Sequence, residues 1–217
     1  MSESLVPERL SLITVSGSGR ASAAPDVMRV HLVASALRGS VAEALAASEQ
    51  AAASIRRVLS AAGVAPADAA TTGLSVNAEQ TWDPTGTPRM TGFRSEHRMA
   101  VALRDLATAG RVLGDGLAAG GDDVRLEHAG FEVDDDATLR ERARAAAWAN
   151  AERQARQLAE LAGVALGRVH TISEQSGFAP VPMAAMAAKE QQSGAAIGIE
   201  PGVVAVEVTL GVQWTIA

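Results

Sequence analysis

The chain has 217 residues, 47% of them hydrophobic, which excludes global disorder and suits one large domain or two small ones burying about 70% of the unfolded surface. A net charge of −6 argues against a nucleic-acid partner, and the absence of cysteine excludes disulfides, thiol catalysis and cysteine-based metal sites. Aromatic residues make up only 3%, so the core must be aliphatic, with alanine-rich helices lying close to their sheet.

Residues 1–10 read as a short tail with neither a basic start nor an apolar run, so the expectation is a soluble, cytoplasmic chain without a secretory leader. No stretch approaches the roughly 20 apolar residues that span a bilayer, so no membrane insertion is expected. Residues 12–17 read as a strand, broken by Gly17-Ser18-Gly19. A second strand, 27–37, places Met28, Val30, Leu32, Ala34 and Ala36 on one face. Ser40-Val41-Ala42-Glu43 is a capping box, and it opens a helix whose stripe is Val41, Ala44, Leu45, Ser48, Ala52, Ile55, Leu59 and Ala62. Gly63 ends that helix and Pro66 prevents its resumption.

Strands over 74–79 and 90–104, joined by the turn-rich segment 83–88, form a long hairpin. Phe93, Ser95, His97, Met99, Val101 and Leu103 share one face of its second arm. Asp105 caps a second helix with the stripe Leu106, Ala109, Val112, Leu113 and Leu117, stopped by Gly120-Gly121. A fifth strand spans 124–133. Asp134-Asp135-Asp136 then leads into a third helix, the acidic groups favouring the positive end of its dipole. Along it Leu139, Ala143, Ala147, Ala151, Ala155 and Ala159 recur every four residues, a stripe small enough for close approach to a sheet or a helix. Gly163 ends it, and a sixth strand covers 169–175.

Residues 176–200 lose all periodicity, and a loop of this length inside a domain is usually functional or mobile. Phe178, Val181, Met183, Met186 and Lys189 are its candidate interaction residues, methionine being suited to irregular partner surfaces. The last strand, 204–216, alternates Val204, Val206, Val208, Leu210, Val212, Trp214 and Ile216 against polar residues, as a half-buried antiparallel strand does. The fold expected is α+β in the order ββαββαβαββ: mostly antiparallel sheet with about three helices on one face, in a single domain over 11–217.

Motifs for chemistry are sparse. Gly17-Ser18-Gly19 lacks the third glycine and the helix of a dinucleotide site, and reads as a strand break or bulge. His31, His97, His128 and His170 all fall in strands without a metal-ligand spacing, although two could meet across a sheet. The aspartate trio lacks a calcium-loop pattern and reads as helix capping. Arg140, Arg142, Arg144, Arg153 and Arg156 are interleaved with Glu141, Glu152 and Glu160, a solvated helix face. There is no Gly-x-Ser-x-Gly.

Several short segments, in order, resemble the SIMPL-domain family. They are Ile13-Thr14-Val15-Ser16-Gly17-Ser18-Gly19 with Pro25-Asp26, Thr72-Gly73-Leu74-Ser75-Val76, Gly92-Phe93-Arg94-Ser95, Ala155-Arg156-Gln157-Leu158-Ala159, Gly163 to Val169, and Pro201-Gly202 before the last strand. Bacterial members of that family include periplasmic immunogenic proteins and proteins of oxidative-stress defence. The resemblance implies an α+β fold and no established enzymatic activity, so no catalytic, cofactor-binding or metal-binding residue is assigned and no cofactor is expected. It also implies homo-oligomers, in some members large hollow or ring-like, and a stress-related role. The leading expectation is a non-enzymatic self-assembling protein that uses its strand edges and the 176–200 loop. The alternatives are an adaptor that captures a partner peptide at the loop or a sheet edge, and a metal- or ligand-binding enzyme built on the strand histidines.

Overall fold

The computed structural model describes residues 11–175 and 202–217. Elements follow in the order β1 (Leu12–Ala23), β2 (Val27–Arg38), α1 (Val41–Ala61), β3 (Ala69–Trp82), β4 (Pro88–Leu103), α2 (Leu106–Gly120), β5 (Val124–Glu132), α3 (Ala137–Ala162), β6 (Leu166–Gln175) and β7 (Val204–Ile216). This is the expected α+β order. The described residues form two compact units.

The first unit joins β1, α3, β6 and β7 in an antiparallel sheet of order β1-β7-β6, with α3 laid against β1 and β7. The expected break at Gly17-Ser18-Gly19 does not exist: β1 runs through it in unbroken register with β7, Gly17 opposite Leu210 and Gly19 opposite Val208. The two glycines serve the helix instead. A Cβ on Gly17 would lie 2.4 Å from the Ala147 carbonyl oxygen, and one on Gly19 would lie 2.1 Å from the Ala147 nitrogen. Opposite them, the α3 stripe of Leu139, Ala143, Ala147, Ala151, Ala155 and Ala159 is buried as the spacing predicts.

The second unit, residues 25–134, has the antiparallel order β3-β4-β2-β5. Helices α1 and α2 cover one face of it. Met28, Val30, Leu32 and Ala34 of β2 and Met99, Val101 and Leu103 of β4 meet Ile55 and Leu59 of α1 and Val112 and Leu113 of α2 in one core. Ser40 caps α1 as expected, its hydroxyl accepting from the Glu43 N–H at 3.3 Å. Val41 and Leu45, placed on the buried stripe by their spacing, are exposed, and Ala51 is buried in addition to the expected residues. Asp105 caps α2, accepting from the Ala107 N–H at 3.2 Å.

Two strands begin earlier than their alternation suggests. β3 starts at Ala69, directly after a 3-10 turn over Pro66–Asp68, and β6 starts at Leu166. Both are edge strands, where exposure on each face removes the apolar alternation that marks a strand in sequence. The aspartate trio also divides. Asp135 accepts from the Ala137 N–H at 3.1 Å and so serves the α3 terminus. Asp136 makes no side-chain cap and instead pairs with Arg140 at 2.6 Å, whereas Asp134 joins the ion pairs of Arg29 and Arg104.

Candidate functional site

The four terminal strands of the two sheets differ in what they leave open. On β1 the free rim is occupied by α3: Asn150 Oδ1 accepts from the Ser18 N–H at 3.2 Å, and the Gln154 amide donates to the Ser16 carbonyl at 3.2 Å. β5 carries a bulge at His31/Leu32 and exposes Arg125 and Glu127, devices that blunt an edge. β6 loses register twice, between Leu166 and Val169 and again before Thr171. Among the described residues, β3 is the edge left open. It has neither proline nor lysine, and between irregularities at Thr71/Gly73 and Glu79/Gln80 it keeps continuous register with β4.

Apolar side chains accompany that edge. Leu74 is 56% exposed, and at the hairpin end Trp82 is 69% and Met90 59% exposed. The hairpin tip is built by Asp83, whose Oδ1 accepts from the Thr85 and Thr87 N–H groups at 2.9 and 3.0 Å, with Gly86 at φ 80° where a side chain would be strained. Arg94 of β4 donates to Glu79 at 2.5 Å and ties the far end of β3 to its neighbour.

At the start of β3 a polar series runs inward. Thr71 Oγ1 shares a 2.9 Å hydrogen bond with His97 Nε2, and His97 Nδ1 lies 3.0 Å from Glu49 Oε2 of α1. The second contact has ion-pair distance but not hydrogen-bond geometry, so the buried Nδ1 has no hydrogen-bond partner. Glu49 is also held by Arg56. Hydroxyl, imidazole and carboxylate stand in the order of a nucleophile, its base and an orienting acid, but the orienting bond is the one not made. Next to them, the buried hydroxyls of Ser48, which precedes Glu49, and Ser95, two residues before His97, satisfy each other at 2.7 Å.

A cleft of about 300 Å³ opens between the end of α1 and the start of α2, lined by Val64, Asp68, Arg104, Thr108 and Val112 among others. Arg104 donates to both Asp68 oxygens at 3.0 Å and to Asp134 at 2.7 Å. These hydrogen bonds hold both carboxyls below their usual range and keep the guanidinium protonated well above its own. The cleft's charge is thus committed internally.

Of the four strand histidines, His31 and His128 do meet: they are cross-strand partners with ring centroids 5.9 Å apart. His97 is the buried residue just described, and His170 is exposed on β6. Among the described residues no three His, Cys, Asp or Glu side chains converge as a metal site. The candidate residues Phe178, Val181, Met183, Met186 and Lys189 lie outside the described residues. Sequence reasoning missed Thr71 and Glu49 beside His97, and it missed the exposure of Leu74, Trp82 and Met90. Only the tryptophan next to the Asp83-Pro84 turn offered a signal, a large aromatic where a hairpin leaves its core.

The SIMPL family model, described as a protein of unknown function (DUF541), matches residues 13–214. The chain is 30% identical over 178 residues to the 26 kDa periplasmic immunogenic protein of Brucella melitensis, covering 79% of this chain and 69% of that protein, and it matches the protein of the same name from Brucella abortus equally well. It is 30% identical over 195 residues to "Uncharacterized protein YggE" of Edwardsiella ictaluri, covering 88% of this chain and 80% of that one. The chain belongs to the SIMPL family. The cytoplasmic expectation is overturned by the two Brucella relatives, which are named as periplasmic. Compartment is set by an address that receptors read and not by the packing of a fold, so the composition of residues 1–10 does not decide it.

Proposed function

We propose that this is a non-enzymatic protein that self-assembles by pairing the open β3 edge of one copy with that of another, in the periplasm like its Brucella relatives. One observation carries the proposal: β3 is a long edge strand whose rim no other described strand pairs, and it is flanked by exposed Leu74, Trp82 and Met90. Edge pairing satisfies free main-chain groups, and burying those side chains adds about 25 cal/mol per Å² of apolar surface removed from water.

Light scattering on a size-exclusion column tests the assembly. A discrete multimer is expected for the native chain, with Leu74→Lys and Trp82→Glu shifting it toward the 22.2 kDa monomer. A native monomer at micromolar concentration, or variants with unchanged mass, would refute edge-to-edge assembly and favour capture of a partner peptide or another interface.

A further inference from the structure

The face of the four-stranded sheet opposite α1 and α2 carries an arrangement that assembly does not use. His31 of β2 and His128 of β5 face each other across the strands, both exposed, with their rings edge to face at 5.9 Å. A β-bulge creates this pairing. Beyond it, Leu32 pairs with Leu126 and Val33 with Arg125; carried on without interruption, that register would set His31 against Glu127 and His128 against Val30, on the face covered by helices. The extra residue re-aims His128 to the open face, a recurring use of bulges beside functional sites.

The described strand neighbours of the pair are small. The His128 ring lies over Gly130, where a Cβ would stand 2.9 Å from Nε2. On the other side, the β4 partner of His31 is the small Ala100. Two neighbouring cations on this face are neutralised: Arg29 is held by Asp134 and Glu132, and Arg98 by Glu96. Arg125 donates to Ser35 at 3.2 Å.

We propose that His31 and His128 form a two-imidazole chelate for a borderline divalent transition ion such as Cu²⁺, Ni²⁺ or Zn²⁺. Cross-strand partners have Cβ atoms about 5 Å apart, and metal–imidazole bonds are about 2.0–2.1 Å, so rotation of the two rings brings one nitrogen of each onto a common ion. Neutral imidazole suits these metals and not Mg²⁺ or Ca²⁺. Two protein ligands leave the remaining positions to water.

The test is titration of the full chain, free of any histidine tag, with Cu²⁺, Ni²⁺ and Mg²⁺ by calorimetry, with electron paramagnetic resonance of the Cu²⁺ form. The expected result is one Cu²⁺ per chain with a two-nitrogen imidazole signature and no Mg²⁺ binding. His31→Ala and His128→Ala should each weaken Cu²⁺ binding by about tenfold or more, while His170→Ala leaves it unchanged. Both substitutions are at exposed positions, and circular dichroism verifies the fold. Absence of Cu²⁺ binding at micromolar concentration, or binding that survives in the double variant His31→Ala/His128→Ala, overturns the proposal.

Discussion

The close approach of α3 to its sheet makes Gly19→Ala the most informative single substitution. The added methyl would stand 2.1 Å from the Ala147 nitrogen and 2.2 Å from the Ala143 carbonyl oxygen, whereas real Cβ contacts essentially never fall below 3.0 Å. Both obstacles are main-chain atoms of one helix, so no rotamer change relieves the clash and the helix itself must retreat by about 1 Å. A gap of that size forfeits roughly a quarter to a half of the dispersion attraction at each contact, here along Ala143, Ala147 and Ala151. Overpacking of this kind costs about 1–3 kcal/mol, and a receiving surface of backbone puts Gly19 at the upper end. Against it, alanine reduces the entropy of the unfolded chain and returns about 0.4–1 kcal/mol.

The net loss expected is about 2 kcal/mol, or a fall in Tm of about 4–8 °C for a chain of this size. Urea unfolding followed by tryptophan fluorescence reads it directly, because Trp148 and Trp214 lie 5.8 Å apart in the same unit. Gly73→Ala is the control. A Cβ there meets nothing within 4 Å, so its midpoint should stay level or rise slightly. A Gly19→Ala chain within about 0.5 kcal/mol of the native one would refute the reasoning, since it would mean that α3 can shift on its sheet at almost no cost.

Two further outcomes follow from the four-stranded unit. Ile55 is fully buried between both helices and the sheet, so Ile55→Ala should lower stability by about 2–5 kcal/mol, measured by denaturant unfolding; a loss below 1 kcal/mol would mean the site collapses around the cavity. Acid should weaken this unit through Asp68 and Asp134, whose folded-state pKa values are depressed by hydrogen bonds from Arg104. Depressed carboxyls contribute fully above the unfolded value of about 3.9 and lose that contribution as pH falls below it toward the folded values. Arg104→Met should therefore lower stability at neutral pH and flatten the decline below about pH 4; an acid limb identical to that of the native chain would assign the decline to another carboxylate of this unit, such as Asp83 with its bonds from Thr85 and Thr87.

Sequence alone determined the order of elements and most of the buried faces, because strand alternation, helix stripes and caps are local signals. Ser40 and Asp105 cap their helices as their positions require, and the alanine stripe of α3 is buried throughout. Tertiary structure decided what those signals do not encode. Gly17 and Gly19 look like a strand break in one dimension, and only the helix lying 2–3 Å from their missing Cβ atoms shows why the strand passes through them. His128 faces His31 because one bulge residue shifts the register, and His97 meets Thr71 and Glu49 from three separate elements. These are contacts between residues distant in the chain, and a pattern with a period of two or 3.6 residues carries no information about them.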